Sequence, residues 1–239
     1  MDHTVSTGGG ASKSRRYLLG AIPVAAFAVA ACSSENSDDS VMQENPPKPR
    51  PATPEEAIQV LMDGNNRFKA REPQIRNTAQ IDAIWSDVTG GQEPFASVLG
   101  CADSRLAPEV IFDQFVGDVF VVREAGNIAA SPTNLGSLEF GQAVLKSKAL
   151  VVLGHSSCGA VKAAFENATP GGNIQAIVDA IRPGIVGASD LDDAIVRNVR
   201  ATIDTVRADS KLLDDAEKSG AIKIVGAFYD IKTSRVRLL

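Results

Sequence analysis

Five residues in two short stretches carry the side chains best suited to chemistry. "CADSR" brings Cys101, Asp103 and Arg105 together at alternate positions, and "GHSSCGA" sets His155 three residues before Cys158. Thiolate and imidazole are the ligands zinc favours, and three protein ligands leave a fourth corner for water or substrate. Cys101, His155 and Cys158 supply that set. Asp103 and Arg105 follow the first ligand closely enough to reach its surroundings, and an arginine fork can hold a carboxylate through two parallel hydrogen bonds. Three plainer readings compete: a Cys101–Cys158 disulfide, two buried thiols beside a core histidine, and a structural zinc with Asp103 as its fourth ligand. An unpaired Asp103 and Arg105 beside a buried disulfide would be costly, which favours the metal.

The elements around these residues put them at one edge. "FASVLG" (95–100), "DVFVVRE" (118–124), "ALVVLG" (149–154) and "AIKIVGAFYD" (221–230) are short, apolar and β-branched at several positions, as expected of strands buried on both faces. Helical patterns lie between them. "TPEEAIQVLMDGNNRFKA" opens with Thr53 as N-cap and Pro54 at the first turn. "PTNLGSLEFGQAVLKS" offers Thr133 as a cap, with Leu135, Leu138 and Val144 on one side. "SDLDDAIVRNVRATIDTVRAD" repeats Ile195, Val199, Ile203 and Val206 at helical spacing. The alternation predicts an α/β fold with a central, mainly parallel β-sheet flanked by helices. Ligands in such sheets bind beyond the carboxyl ends of strands. Cys101 follows one expected strand directly and His155 another, so the fold class itself predicts that they meet.

The 239 residues carry a net charge of −5, 44% hydrophobic and 22% charged residues. That balance fits a globular domain and gives no basic field for nucleic acid. The N-terminus has a separate character. Arg15 and Arg16 precede an apolar run from Tyr17 to Ala31 and then Cys32, the architecture of an export signal. The paired arginines resemble a twin-arginine leader. "VAAC" (29–32) resembles a lipobox, which would leave Cys32 as a lipidated N-terminus. Residues 1–31 are therefore expected to be an export signal, 32–52 a polar, proline-rich tether, and 53–239 the catalytic domain. Processing would remove His3, leaving His155 as the one histidine of the mature chain. The expected location is the periplasm or cell surface, with membrane contact only through the N-terminal anchor.

Over roughly residues 53–239 the chain resembles the β-class carbonic anhydrases. The resemblance rests on "CADSRLAPEVIFDQFVGDVFVVREAGN" and "GHSSCGAV", supported by "GNNRF" (64–68) and "GAFYDIKTSRVRLL" (226–239). It implies a carbonate dehydratase with one Zn2+ per chain, hydrating carbon dioxide reversibly to bicarbonate and a proton. It puts the zinc ligands on Cys101, His155 and Cys158 and the catalytic dyad on Asp103 and Arg105. Asp103 becomes a zinc ligand in the alternative, closed state. Gln92 matches a substrate-binding glutamine and Phe120 an aromatic that lines the pocket. The family forms dimers or higher assemblies, so a homodimer or homotetramer is implied. Two positions depart from family patterns: Val98 stands where one bicarbonate-regulated subgroup has tryptophan, and Phe140 stands where some members have tyrosine. The motifs leave open a carbonyl sulfide or carbon disulfide hydrolase, or a non-catalytic zinc-binding lipoprotein.

Overall fold

A computed structural model describes residues 50–239. The expected leader, Cys32 and the tether up to residue 49 lie outside the described residues. Among the described residues, no helix is long and apolar enough to cross a membrane.

The described residues open with α1 (Pro54–Ala70). Thr53 accepts from the Glu56 N–H, and the Glu56 side chain returns to the Thr53 backbone, so both ends of the capping box are made. α2 (Thr78–Gly90) has its own capping box on Asn77 but buries no residue. Then come β1 (Ala96–Gly100), the short α3 (Pro108–Ile111), β2 (Val119–Arg123) and a 3-10 turn at Ala125–Asn127. α4 (Pro132–Ala143), β3 (Ala149–His155), α5 (Gly159–Phe165) and α6 (Gly172–Ile181) follow. The chain closes with α7 (Leu191–Asp209), α8 (Lys211–Lys218), β4 (Lys223–Asp230) and β5 (Arg235–Leu238).

The sheet order is β2-β1-β3-β4-β5, with the first four strands parallel and β5 antiparallel to β4. All four expected strands form. β5 was not anticipated, because "RVRL" exposes three of its four residues and buries only Val236. Alternate strand residues feed two cores. Val98, Val151 and Leu153 join α1, α6 and α7 on one face; Leu99, Leu150 and Val152 join α4, α7 and α8 on the other. Burial on both faces explains the continuous apolar runs. α4 differs from expectation in two details. Ser131, not Thr133, accepts from the Asn134 N–H, which lets Pro132 take the first helical position. Val144 follows the end of the helix and is exposed.

The fold brings the site together at one point. β1 connects to β2 on one side, while β3 lies on the other side of β1. The crevice between the carboxyl ends of β1 and β3 is therefore a topological switch point, where open α/β sheets bind ligands.

Candidate metal centre and carboxylate–guanidinium pair

Gly100 pairs with Leu153 in the β1–β3 register, so Cys101 leaves β1 beside the strand that ends in His155. The chain then turns at Ser157, in the left-handed region at φ 58°, and Cys158 becomes the N-cap of α5. All three residues are buried, and one ligand atom from each lies within 4.8 Å of the others. Both cysteines are free thiols. His155 Nδ1 lies 3.1 Å from the Ser156 carbonyl, an acceptor that fixes the proton on Nδ1. That leaves the Nε2 lone pair buried and, among the described residues, without a hydrogen-bond partner. An orphaned buried imidazole nitrogen beside two sulfurs fits a metal as the missing partner.

The electrostatics favour thiolate. Cys101 is held well below the ordinary thiol range, first by hydrogen bonding from Cys158, then by His155 and the Gly126 N–H. Gly126 N donates to Cys101 Sγ at 3.3 Å. The Cys101 thiolate and burial together push Cys158 up. A bound cation would favour the thiolate form of both sulfurs.

Arg105 grips Asp103 through both oxygens, and its backbone N–H also donates to Oδ1. The guanidinium holds the Asp103 carboxyl far below its usual range, with a smaller pull from His155. Asp103 is an ionised acceptor with half-exposed Arg105 at its back. It is not one of the three clustered ligands, so the arrangement seen is the one in which the carboxylate pairs with arginine. The fourth-ligand position expected for Asp103 in a closed state is not adopted here, because Arg105 occupies both oxygens.

Phe120 lies on the edge strand β2, partly buried, with its ring 6.2 Å from that of Phe140. Gln92 is exposed between α2 and β1, lining a surface hollow with Arg50, Asp87 and Glu93. Among the described residues, no hydrogen bond or ring contact joins either side chain to the cysteine–histidine cluster.

Sequence reasoning missed the supports of the centre. Gly126 sits at φ 74°, where a side chain is strained, and a Cβ there would lie 2.7 Å from Ile181 Cδ1, so glycine suits the turn that aims its N–H at the sulfur. Asn198 of α7 donates to the Gly126 carbonyl at 2.8 Å and fixes that turn. Asn127 is fully buried, and among the described residues neither of its side-chain polar atoms has a hydrogen-bond partner. The run "REAGN" was the available signal: a glycine and an amide straight after a strand mark a turn.

A family model described as carbonic anhydrase matches residues 96–236. Carbonic anhydrase 2 of Mycobacterium tuberculosis is 38% identical over 194 residues, which cover 77% of this chain and 92% of that one. A carbonic anhydrase of Mycolicibacterium smegmatis is 38% identical over 196 residues, covering 78% and 94%. Among solved structures, a Coccomyxa β-carbonic anhydrase in complex with acetazolamide is 28% identical at a TM-score of 0.60, covering 75% of this chain and 84% of that one. A tetrameric β-carbonic anhydrase of Sordaria macrospora is 25% identical at a TM-score of 0.62, covering 76% and 96%. The chain belongs to the β-class carbonic anhydrase family. It is accordingly an enzyme of the carbonate dehydratase type.

Proposed function

We propose that the chain catalyses zinc-dependent, reversible hydration of carbon dioxide to bicarbonate and a proton, with one zinc per chain held by Cys101 Sγ, His155 Nε2 and Cys158 Sγ. The observation that carries this reading is the convergence of three soft or borderline donors at the β1–β3 switch point, with an arginine-held carboxylate beside them. Bound zinc would supply the Lewis acidity that makes water nucleophilic near neutral pH, a behaviour for which carbonic anhydrase is itself the standard example.

The protein's own groups do the rest. Ser156 fixes the imidazole so that Nε2 offers its lone pair. The Gly126 N–H steadies the Cys101 thiolate. Asp103 stays ionised because Arg105 holds it, and so accepts a hydrogen bond from the O–H of the attacking water and aims its lone pair at carbon. The same carboxylate disfavours a misplaced oxygen that carries no proton to give. Gln92 would donate to the developing bicarbonate oxygen and Phe120 would line a dry pocket for CO2. Among the described residues no hydrogen bond or ring contact ties either to the cluster, and in this reading a neighbouring copy presents them.

A homodimer or homotetramer accords with that requirement. The Sordaria macrospora relative is described as tetrameric. In this chain Ile81, Ile84, Trp85 and Val88 recur at helical spacing on α2, yet none is buried. Among the described residues β2 is also an open sheet edge. Residues 1–31 are proposed as an export leader and Cys32 as a lipidation site, on the residue pattern alone; mass spectrometry of the processed N-terminus tests both.

Metal analysis combined with stopped-flow CO2 hydration, from about pH 6 to about pH 9, tests the main reading. One zinc per chain with buffer-dependent turnover is expected. Zinc without hydration at any pH would make this a zinc-holding protein, and hydrolysis of carbonyl sulfide in preference to CO2 would reassign the substrate.

A further inference from the structure

β2 ends beside the loop that carries Cys101, Asp103 and Arg105, and its last side chain reaches across to that loop. Arg123 stands opposite Gly100 in the β1–β2 register. Its Nε donates to the Cys101 carbonyl at 3.1 Å, and its Nη2 donates to the Asp103 carbonyl at 2.6 Å. The Asp103 carbonyl also accepts from the Leu106 N–H at 2.9 Å. Arg123 therefore closes the turn 103–106 from outside, while Arg105 closes it from within.

We propose that Arg123 is a positioning residue for the hydration reaction: it ties two carbonyls of the metal-ligand loop so that the Asp103 carboxylate stays on Arg105 and off the metal's open corner. This rests on the zinc reading above. The planar guanidinium suits the task, because two of its donors span two carbonyls of one loop in a fixed geometry. Arg123 is exposed, so its removal opens no core cavity. The loss falls on the loop, whose Asp103 carbonyl keeps only the Leu106 bond. A freed loop lets an anionic carboxylate, two residues from Cys101, compete for the open position. Arg123 donates to backbone and has no reach-through to CO2 in this role, so its removal lowers kcat more than it raises KM.

The test compares the full-length zinc protein with Arg123→Gln and Arg123→Lys. It uses four readouts: zinc per chain, kcat and KM for CO2, the visible spectrum after Co2+ replaces zinc, and amide exchange at Arg105 and Leu106. Arg123→Gln is expected to keep its zinc, lose kcat by about 10- to 100-fold, change the cobalt spectrum, and exchange faster at those two amides than at Val98. Arg123→Lys, which can still reach one carbonyl, recovers part of the loss. Unchanged kcat, cobalt spectrum and amide exchange in Arg123→Gln overturn the proposal. So does a loss of kcat that only follows loss of zinc or unfolding, because the residue is then a fold staple. A parent protein that holds no zinc or hydrates no CO2 overturns the underlying reading instead, whatever the exchange shows.

Discussion

Arg105 contacts Asp103 side-on, Nε to Oδ1 at 2.9 Å and Nη2 to Oδ2 at 2.6 Å, so both carboxylate oxygens are committed to one guanidinium. The pair is two residues apart in sequence, and the turn between them brings the Arg105 N–H to the same oxygen. Substituting Asp103→Asn keeps the shape but sets an amide N–H₂ against the guanidinium, donor facing donor, and removes the charge. We expect turnover to fall by about 100-fold or more while zinc remains at one per chain. Full activity at equal zinc content would remove Asp103 from the mechanism.

The two buried thiols give a second prediction. Chelation of the metal should expose two reactive sulfurs, Cys101 and Cys158, and lower the melting temperature, since a ligand bound only by the folded state stabilises it by mass action. Added zinc should restore both protection and stability. Cys158→Ser should bind zinc poorly for the same reason. Thiol titration before and after chelation checks this: a domain whose sulfurs are unreactive in both conditions would point to a disulfide in the native material.

α1 docks so closely that its middle admits no side chain. A Cβ on Gly64 would fall 1.7 Å from the Phe112 carbonyl oxygen, a backbone atom that cannot swing aside. The next residue, Asn65, is buried and donates to the Ile111 and Ser234 carbonyls, while its Oδ1 accepts from the Val236 N–H. Arg67 pairs with Asp113 at 2.5 Å. Gly64→Ala must push the helix off all of these, and we expect a loss of about 3 kcal/mol in denaturant unfolding. Gly136→Ala in α4, where a Cβ meets nothing within 4 Å, should be neutral or stabilising by up to about 1 kcal/mol. Equal effects from the two substitutions would show that close approach is not what Gly64 provides.

The sequence displayed the metal-ligand residues and four of the strands because each has a strong local signature: a thiol or imidazole directly after an apolar, β-branched run. It also showed "GNNRF" as a recurring family pattern without its reason, which is the docking just described. The supports of the site were hidden. Arg123 reads as the polar end of a strand, Gly126 as an ordinary turn glycine, and Asn198 as one more polar residue on an amphipathic helix. Their roles depend on partners 20 to 72 positions away, and no local pattern encodes such a pairing. β5 escaped because a half-exposed edge strand with three outward residues has little apolar signal. Gln92 and Phe120 show the opposite case: a family resemblance named them, and no local signature singles them out from an ordinary loop residue and an ordinary strand aromatic.

A last prediction concerns acid stability at a point away from the metal. Glu217 of α8 accepts from Arg207 Nε at 2.7 Å and Nη2 at 2.9 Å, and from the Ile224 N–H at 3.2 Å, so one carboxylate joins α7, α8 and β4. The Arg207 guanidinium is the main reason its carboxyl lies below the ordinary glutamate value. A group whose pKa is lowered by folding stabilises the protein above its unfolded pKa and loses that contribution as pH falls through the folded value. Glu217→Gln keeps the bond to Ile224 but removes the charge. With Arg207 partly open to solvent, the expected cost near neutral pH is about 0.5–1 kcal/mol. That difference should shrink as pH falls through the carboxylate range and should also shrink in high salt. Paired urea titrations of the two proteins at neutral and acid pH, at one protein concentration, measure it. A gap that stays constant down to acid would assign the effect to packing rather than to the ion pair.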